Sequence, residues 1–273
     1  MIPLEDNYED ILAKALRGLG LTDAALAERA GVAVQAVGAA RSGRFDESHA
    51  RKFAPVLGLD PDALVAIGRK AWHPGEIEVS GLAQFTSDYL AMTVNAYVAW
   101  DRATRAAIVF DSGADAGRML HFIEANGLKV SALLLTHTHG DHVAEVETLR
   151  DRTGNPPLFS GTEEPFGGSA AADDGWTFAA GGLRIRALAT PGHSAGARTY
   201  VIEGLARPVA VVGDALFAGS MGGAPSAWVA ALANNRSKIL SLPGGTVLCP
   251  GHGPLTTVAL ELRHNPFYAG VRQ

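Results

Sequence analysis

The chain has 273 residues, 47% of them hydrophobic and 19% charged, with a formal net charge of −5. That length allows one large domain or two, and the balance is that of a globular protein with a sizeable core. The charge argues against a dedicated nucleic-acid binder, and no apolar run is long enough to span a bilayer. The N-terminal Met1-Ile2-Pro3-Leu4-Glu5-Asp6 lacks the basic-then-apolar order of a signal peptide, and the single cysteine, Cys249, has no internal disulfide partner. The expected location is therefore the cytoplasm.

Residues 1–72 read as a small all-helical domain. Apolar residues recur at helical spacing in Ile11, Leu12, Ala15 and Leu16, again in Ala25, Leu26 and Ala30, and again in Phe53, Val56 and Leu57. Gly18, Gly20, Gly31, Gly43 and Gly58 punctuate them, and Asp23 and Asp60 stand where N-caps are expected. Trp72-His73-Pro74-Gly75 breaks the pattern and marks a boundary. From residue 73 to 273 the texture becomes mixed. β-rich runs are predicted at 77–79, 92–100, 106–110, 133–136, 183–189, 199–202, 209–212 and 246–248, and helices at 116–126, 142–150 and 228–240. Strands interleaved with helices predict a layered α/β domain.

The chemistry is concentrated in Thr136-His137-Thr138-His139-Gly140-Asp141-His142, which directly follows the apolar Leu133-Leu134-Leu135. His137 and His139, two apart, project to one side of an extended segment, and Gly140 permits a turn that brings Asp141 and His142 round to the same place. Imidazole and carboxylate without thiolate suit zinc, iron or manganese. Three further glycine-flanked ligand candidates follow apolar runs: His193 in Pro191-Gly192-His193-Ser194, Asp214 after Val211-Val212-Gly213, and His252 in Pro250-Gly251-His252-Gly253. Each alone reads as a capping or loop residue; their recurrence after strand ends reads as one site.

This set, His137-Thr138-His139-Gly140-Asp141-His142 followed by His193, Asp214 and His252, resembles the ligand set of the metallo-β-lactamase superfamily over residues 76–273. The resemblance implies an αββα sandwich with two divalent metal ions at the edge between its sheets, zinc first and iron or manganese next. It assigns His137, His139 and His193 to the first ion, Asp141, His142 and His252 to the second, and Asp214 to a bridge. Three imidazoles on one ion leave a position open for water, whose pKa falls toward 7. Asp141 is then the candidate catalytic residue, orienting the attacking hydroxide. Gly213-Asp214-Ala215-Leu216-Phe217-Ala218-Gly219-Ser220 and the tail from Pro250 to Phe267 are similar to glyoxalase II-like hydrolases, which implies hydrolysis of a thioester such as S-lactoylglutathione. Met221-Gly222-Gly223 stands where related enzymes often carry a Gly-Arg pair, and no long C-terminal helical domain follows before Gln273. A broader ester, lactone or β-lactam hydrolase is the alternative, and a regulator whose hydrolase domain senses a metabolite is a rival from another class.

Among the other polar residues, Asp111 is expected to brace the metal loop rather than ligate. His49, His73 and His264 are expected at the surface or in caps, His121 partly buried in a helix, and Cys249 buried as a small hydrophobe. Arg198 and Arg263 are weighed as partners for a substrate carboxylate. Residues 21–41 resemble a helix-turn-helix of the Cro and repressor type, with Ala27, Gly31 and Val37 at the packing positions and Gln35, Ala39 and Arg41 as recognition candidates. Yet residues 1–70 carry nine Lys or Arg against ten Asp or Glu, net −1, which leaves few cations for phosphates. The expected partner is a small-molecule substrate, with the helices packing on the catalytic domain or building a homodimer.

Overall fold

The computed structural model describes residues 1–270. Five helices come first: α1 (Tyr8–Leu19), α2 (Asp23–Ala30), α3 (Val34–Arg41), α4 (Glu47–Leu57) and α5 (Pro61–Gly68). Their ends follow local chemistry. Asn7 N–H bonds Asp10 at 2.9 Å before α1, and Asp60 caps α5 by accepting from Ala63 N at 2.8 Å, with Pro61 at the first helical position. The cap of α2 is Thr22, not Asp23; Asp23 lies in the first turn and pairs with Arg41 at 2.9 Å. Gly31 (φ 63°) supplies the left-handed residue that ends α2.

The remaining described residues form two six-stranded sheets with their helices. In the first, β1 (Leu82–Tyr89), β2 (Met92–Trp100), β3 (Ala106–Phe110), β4 (Lys129–Leu134), β5 (Leu158–Ser160) and β6 (Ala170–Ala171) lie in chain order, with α6 (Gly117–Ala125), α7 (Gly140–Val143) and α8 (Val146–Arg152) between strands. In the second, β7 (Thr177–Ala180), β8 (Leu183–Ala189), β9 (Arg198–Glu203), β10 (Val209–Gly213), β11 (Val247–Pro250) and β12 (Thr256–Thr257) also pair in sequence order, accompanied by α9 (Trp228–Asn234), a π-helical turn (Asn235–Ile239) and α10 (Val258–His264). The β10–β11 pair is parallel, and the other pairs of this sheet are antiparallel.

Period-two alternation sorts the apolar residues into three cores. Tyr97, Ile108 and Phe110 face inward to meet Ile185, Tyr200, Val209 and Val211 between the sheets. Val98, Val109 and Leu133 face outward onto α6 and α8 through Met119, Ile123 and Leu149. Ala210, Val212 and Leu248 face the other way onto α9 and α10. The order is helix, sheet, sheet, helix. The third core also contains Ile11, Leu12, Leu26, Phe53 and Leu64, so the N-terminal helices extend the outer helical layer of the second sheet. A Cβ on Gly18 would stand 2.1 Å from the Trp228 ring, Asp60 N bonds Pro266 O at 2.7 Å, and Trp72 stacks on His264 at 5.3 Å. Among the described residues no helix is long and apolar enough to cross a membrane.

In places the structure differs from what the sequence predicts. Residues 77–79 are not a strand: Val79 is buried, but its carbonyl takes Leu82 N at 3.1 Å in a turn. The helix expected over 142–150 is two short helices, α7 and α8, and that over 228–240 continues into the π turn. His121 is exposed rather than partly buried.

Candidate metal centre

All seven sequence-predicted residues meet at one end of the sandwich, where β4, β8, β10 and β11 run out into loops. After β4 the chain is fastened before it reaches the histidines. Thr136 N and Oγ1 both donate to the Asp111 carboxylate at 2.7 Å, and Thr136 O accepts from Arg198 N at 2.7 Å. His139 is still extended (φ −66°, ψ 148°), and the single turn of α7 then brings Asp141 and His142 inward. Gly140 does not have a positive φ, and a Cβ there would lie a tight 3.0 Å from the hydroxyl of half-buried Tyr89.

Three of the five rings are held by the outer nitrogen. His142 Nδ1 meets Asp111 Oδ2 at 2.8 Å, His193 Nδ1 meets Gly223 O at 3.0 Å, and His252 Nδ1 meets Thr93 O at 2.5 Å. These contacts favour a proton on Nδ1 and aim Nε2 inward, the orientation metal-binding histidines use. His139 is turned the other way. Its Nδ1 lies 3.1 Å from His137 Nε2 and 3.0 Å from His193 Nε2.

Two triads result, His137–His139–His193 and Asp141–His142–His252, each with its ligand atoms within 4.8 Å of one another. Asp214 stands between them: Oδ1 is 3.3 Å from His142 Nε2, and Oδ2 is 3.4 Å from both His193 Nε2 and His252 Nε2. The backbone makes way for this carboxylate. A Cβ on Gly251 would fall 2.1 Å from Asp214 Oδ1, and one on Gly213 (φ 50°) would fall 2.5 Å from Thr136 Oγ1.

The donor set fits two cations. His142 Nε2 and Asp214 Oδ1 are buried without a well-formed hydrogen bond, an expensive state that a shared cation relieves. Burial, then the neighbouring His142, holds His137 well below the ordinary imidazole range, and burial also lowers His193, so both present neutral lone pairs. His252 goes the other way. Burial is the largest single influence and opposes its charge, but the charge and hydrogen bond of Asp214, together with the Thr93 carbonyl, raise it to about 9. Asp214 in turn is held well below the carboxylate range by His142 and His252 despite its burial. Positive charge is thus favoured on the Asp214 side of the cluster, whether carried by protons or by metal.

Asp111 braces the loop as expected. Arg198, by contrast, cannot reach a substrate. It is 1% exposed and bonds Ala172 O, Gly196 O, Ala197 O, Glu163 and Asp173. Arg263 is exposed on α10, and Cys249 is fully buried, its thiol pushed up by burial. Sequence reasoning missed Glu164, which takes Ser194 Oγ and Ala195 N and so secures the loop carrying His193. The two segments lie about thirty residues apart with no shared motif, and no spacing signal announces the contact.

The model of the metallo-beta-lactamase superfamily matches residues 90–263. A protein called a probable metallo-hydrolase in Streptococcus pyogenes is 28% identical over 191 residues, covering 60% of this chain and 82% of the relative. The hydroxyacylglutathione hydrolase of Pseudomonas putida is 33% identical over 181 residues, covering 64% of this chain and 66% of the relative. Among solved structures, the BLEG-1 B3 metallo-beta-lactamase superposes with a TM-score of 0.61 at 29% identity, over 69% of this chain and 100% of that one. A protein crystallised in a di-iron-bound form superposes with a TM-score of 0.52 at 28% identity, over 67% and 99%. Since the matched span takes in both triads and most of both sheets, this chain belongs to the metallo-β-lactamase superfamily.

Proposed function

We propose that this chain is a metal-dependent hydrolase that cleaves a thioester, S-lactoylglutathione being the first substrate to try. The observation that carries the reading is the pair of ligand triads joined by Asp214. Zinc is the first candidate ion, and iron the next, because a 28% identical neighbour was solved with two irons. Bound there, two divalent ions supply a water acidified toward neutral pH and positive charge for the substrate's carbonyl oxygen. The chain's own residues do the rest. Asp141 Oδ2, 3.4 Å from His252 Nε2 and 3.5 Å from His142 Nε2, orients the attacking water and receives its proton. Asp214 keeps the two triads in register. His139, exposed, and His193, half-buried, leave the side of the first triad open for substrate. A thiolate leaves readily, so little gripping surface is required. The hydroxyacylglutathione hydrolase relative supports the thioester, and the B3 lactamase neighbour supports a β-lactam as the second reading.

Residues 1–72 we take as a packing domain rather than a DNA reader. Their near-neutral charge and the capture of Arg41 by Asp23 leave little for phosphates. The test is metal analysis of the purified protein followed by a panel of thioesters, lactones, β-lactams and phosphodiesters. Close to two ions per chain and the highest kcat/KM on a thioester are expected. A better β-lactam or phosphodiester substrate overturns the thioester reading, and fewer than one ion per chain overturns the metal reading.

A further inference from the structure

Two groups that meet in the metal centre come from strands that are not neighbours. His193 follows β8 and Asp214 follows β10, and β9 runs between those strands. Neighbouring strands lie about 4.8 Å apart, so the two strand ends start about 10 Å from one another. His193 Nε2 and Asp214 Oδ2 nevertheless stand 3.4 Å apart. The His193 ring touches Gly223 O, but the backbones of the two loops share no hydrogen bond among the described residues. Something outside both loops must bring them together.

One helix reaches both. Along one face, α9 packs on the segment that leads to His193: a Cβ on Gly192 would fall 2.5 Å from Ala231 Cβ, and Asn234 Nδ2 donates to Pro191 O at 2.7 Å. One turn further on, Lys238 Nζ donates to Ala189 O at 2.6 Å, so the same face follows the end of β8. Asn235 lies about 100° further round the helix and points inward. It is 1% exposed, and its Nδ2 donates to Ala215 O at 2.6 Å and to Tyr268 Oη at 2.8 Å. Ala215 is the residue after Asp214. Asn235 also opens the π-helical turn, in which Leu240 N bonds Asn235 O at 2.8 Å. Such turns are rare and occur frequently at functional sites. Adjacent asparagines thus grip the two loops, one each.

We propose that Asn234 and Asn235 are positioning residues that together set the distance between His193 and Asp214, and so hold the bridging carboxylate within reach of both triads. The inference rests on the metal reading above and deepens it. Asn234 acts on the first triad through the backbone two residues before His193. Asn235 acts on the bridge through the residue after Asp214. A leucine at either place fills similar space but leaves the Pro191 or Ala215 carbonyl without its side-chain donor, and a metal-binding constellation tolerates drift of only about 0.5 Å.

The test compares full-length wild type with Asn234→Leu, Asn235→Leu and Tyr268→Phe. The last removes a partner of Asn235 without touching Ala215 O and controls for lost stability alone. Ion affinities come from competition with a chromophoric chelator, and anomalous diffraction identifies the triad each ion occupies. Asn234→Leu should weaken the ion of the His137, His139 and His193 triad by about 10–100-fold and spare the other, Asn235→Leu should weaken both by a similar factor, and Tyr268→Phe should weaken neither, whatever it costs in urea unfolding. Unchanged affinities in the asparagine variants, or a loss in Tyr268→Phe equal to that in Asn235→Leu, overturns the proposal, because the asparagines would then only stabilise the fold. If Asn235→Leu does not fold, Asn234→Leu decides alone: selective loss of one ion supports the proposal, and equal loss or none overturns it. Crystals of the metal-free proteins separate this inference from the metal reading. If wild type takes up no ion, the metal reading fails, and a His193–Asp214 separation that grows by more than about 0.5 Å in the asparagine variants but not in Tyr268→Phe still sustains the positioning role. A separation that stays put overturns it.

Discussion

Asp111→Asn probes how the centre is assembled without touching a proposed ligand. Asp111 has φ 55°, in the left-handed region, where asparagine is as much at home as aspartate while most other residues are strained by about 1–2 kcal/mol. The substitution therefore removes the carboxylate and little else. Asp111 Oδ1 accepts from Thr136 N at 2.7 Å, and Oδ2 accepts from Thr136 Oγ1 at 2.7 Å and His142 Nδ1 at 2.8 Å. An amide must put a donor nitrogen in one of those places. Facing Thr136 N–H, it meets a donor that cannot change. Facing His142, it is accommodated if the imidazole moves its proton from Nδ1 to Nε2, and Thr136 Oγ1 can turn to accept. That tautomer puts a hydrogen on the atom aimed at Asp214, and a protonated nitrogen is no ligand. Loss of such an orienting partner costs about 10–100-fold in metal affinity, or about 1.4–2.8 kcal/mol. Competition with a chromophoric chelator should show one ion weakened by that factor while the ion of the His137, His139 and His193 triad keeps its affinity. Two ions bound at wild-type strength, or selective loss of the other ion, would refute the reasoning.

Arg198→Met leaves three backbone carbonyls without their guanidinium donor and should cost about 2–3 kcal/mol in urea unfolding; a loss below about 0.5 kcal/mol would show those bonds to be dispensable. Glu261 is buried where Gly219 N, Asn265 Nδ2 and Thr256 Oγ1 donate to it at 3.0, 2.8 and 2.6 Å, and burial still pushes its carboxyl from the ordinary 4.5 up to about 7. A raised folded value means that its contribution to stability is complete below about 4.5 and is lost as pH rises toward about 7. The loss is about 3 kcal/mol at most, so Glu261→Gln should flatten the fall in unfolding free energy between pH 5 and 8, and an unchanged slope assigns it elsewhere. Deleting residues 1–72 should uncover Trp228, Phe267 and Tyr268 and yield an aggregating protein or a new oligomer, whereas a monomer as soluble and stable as the full chain would make the helices a tethered module.

What the sequence revealed and what it hid divide along a physical line. The ligand motifs are local: a short apolar strand, a glycine that lets the backbone come close, and a ligand at the strand's end. That is why residues 137–142, 193, 214 and 252 could be named from spacing and resemblance alone. Strands β2, β3 and β8 were legible because their apolar residues are continuous or alternate. Strand β1 was not, since its residues are half-buried almost throughout and show no alternation to read. The split of residues 140–152 into two short helices answers to the demand that His142 turn inward onto Asp111, a partner thirty-one positions away. Arg198 looked like a candidate substrate contact because an arginine's type does not disclose whether carbonyls already surround it.

The same distinction governs the N-terminal helices. Their spacing resembles a recognition module, and Val37 and Ala27 are buried as that resemblance requires. A helix-turn-helix pattern, however, specifies only how helices pack on one another; it is silent about what the module's other surface meets. Here that surface merges with the layer of α9 and α10, and the segment before α1 is pinned to the loop after Asp214 by Asp6 and Lys14. The Asp6–Lys14 pair, Asp6 buried and Lys14 nearly so, is informative because taking charges out of water is worthwhile only where their geometry is fixed from several sides. Of its partners, Ser220 ends the run that is similar to glyoxalase II-like hydrolases, and the Met221 carbonyl opens the stretch that departs from it. The loop after Asp214 is thus held in this chain by residues that precede the span matched by the superfamily model.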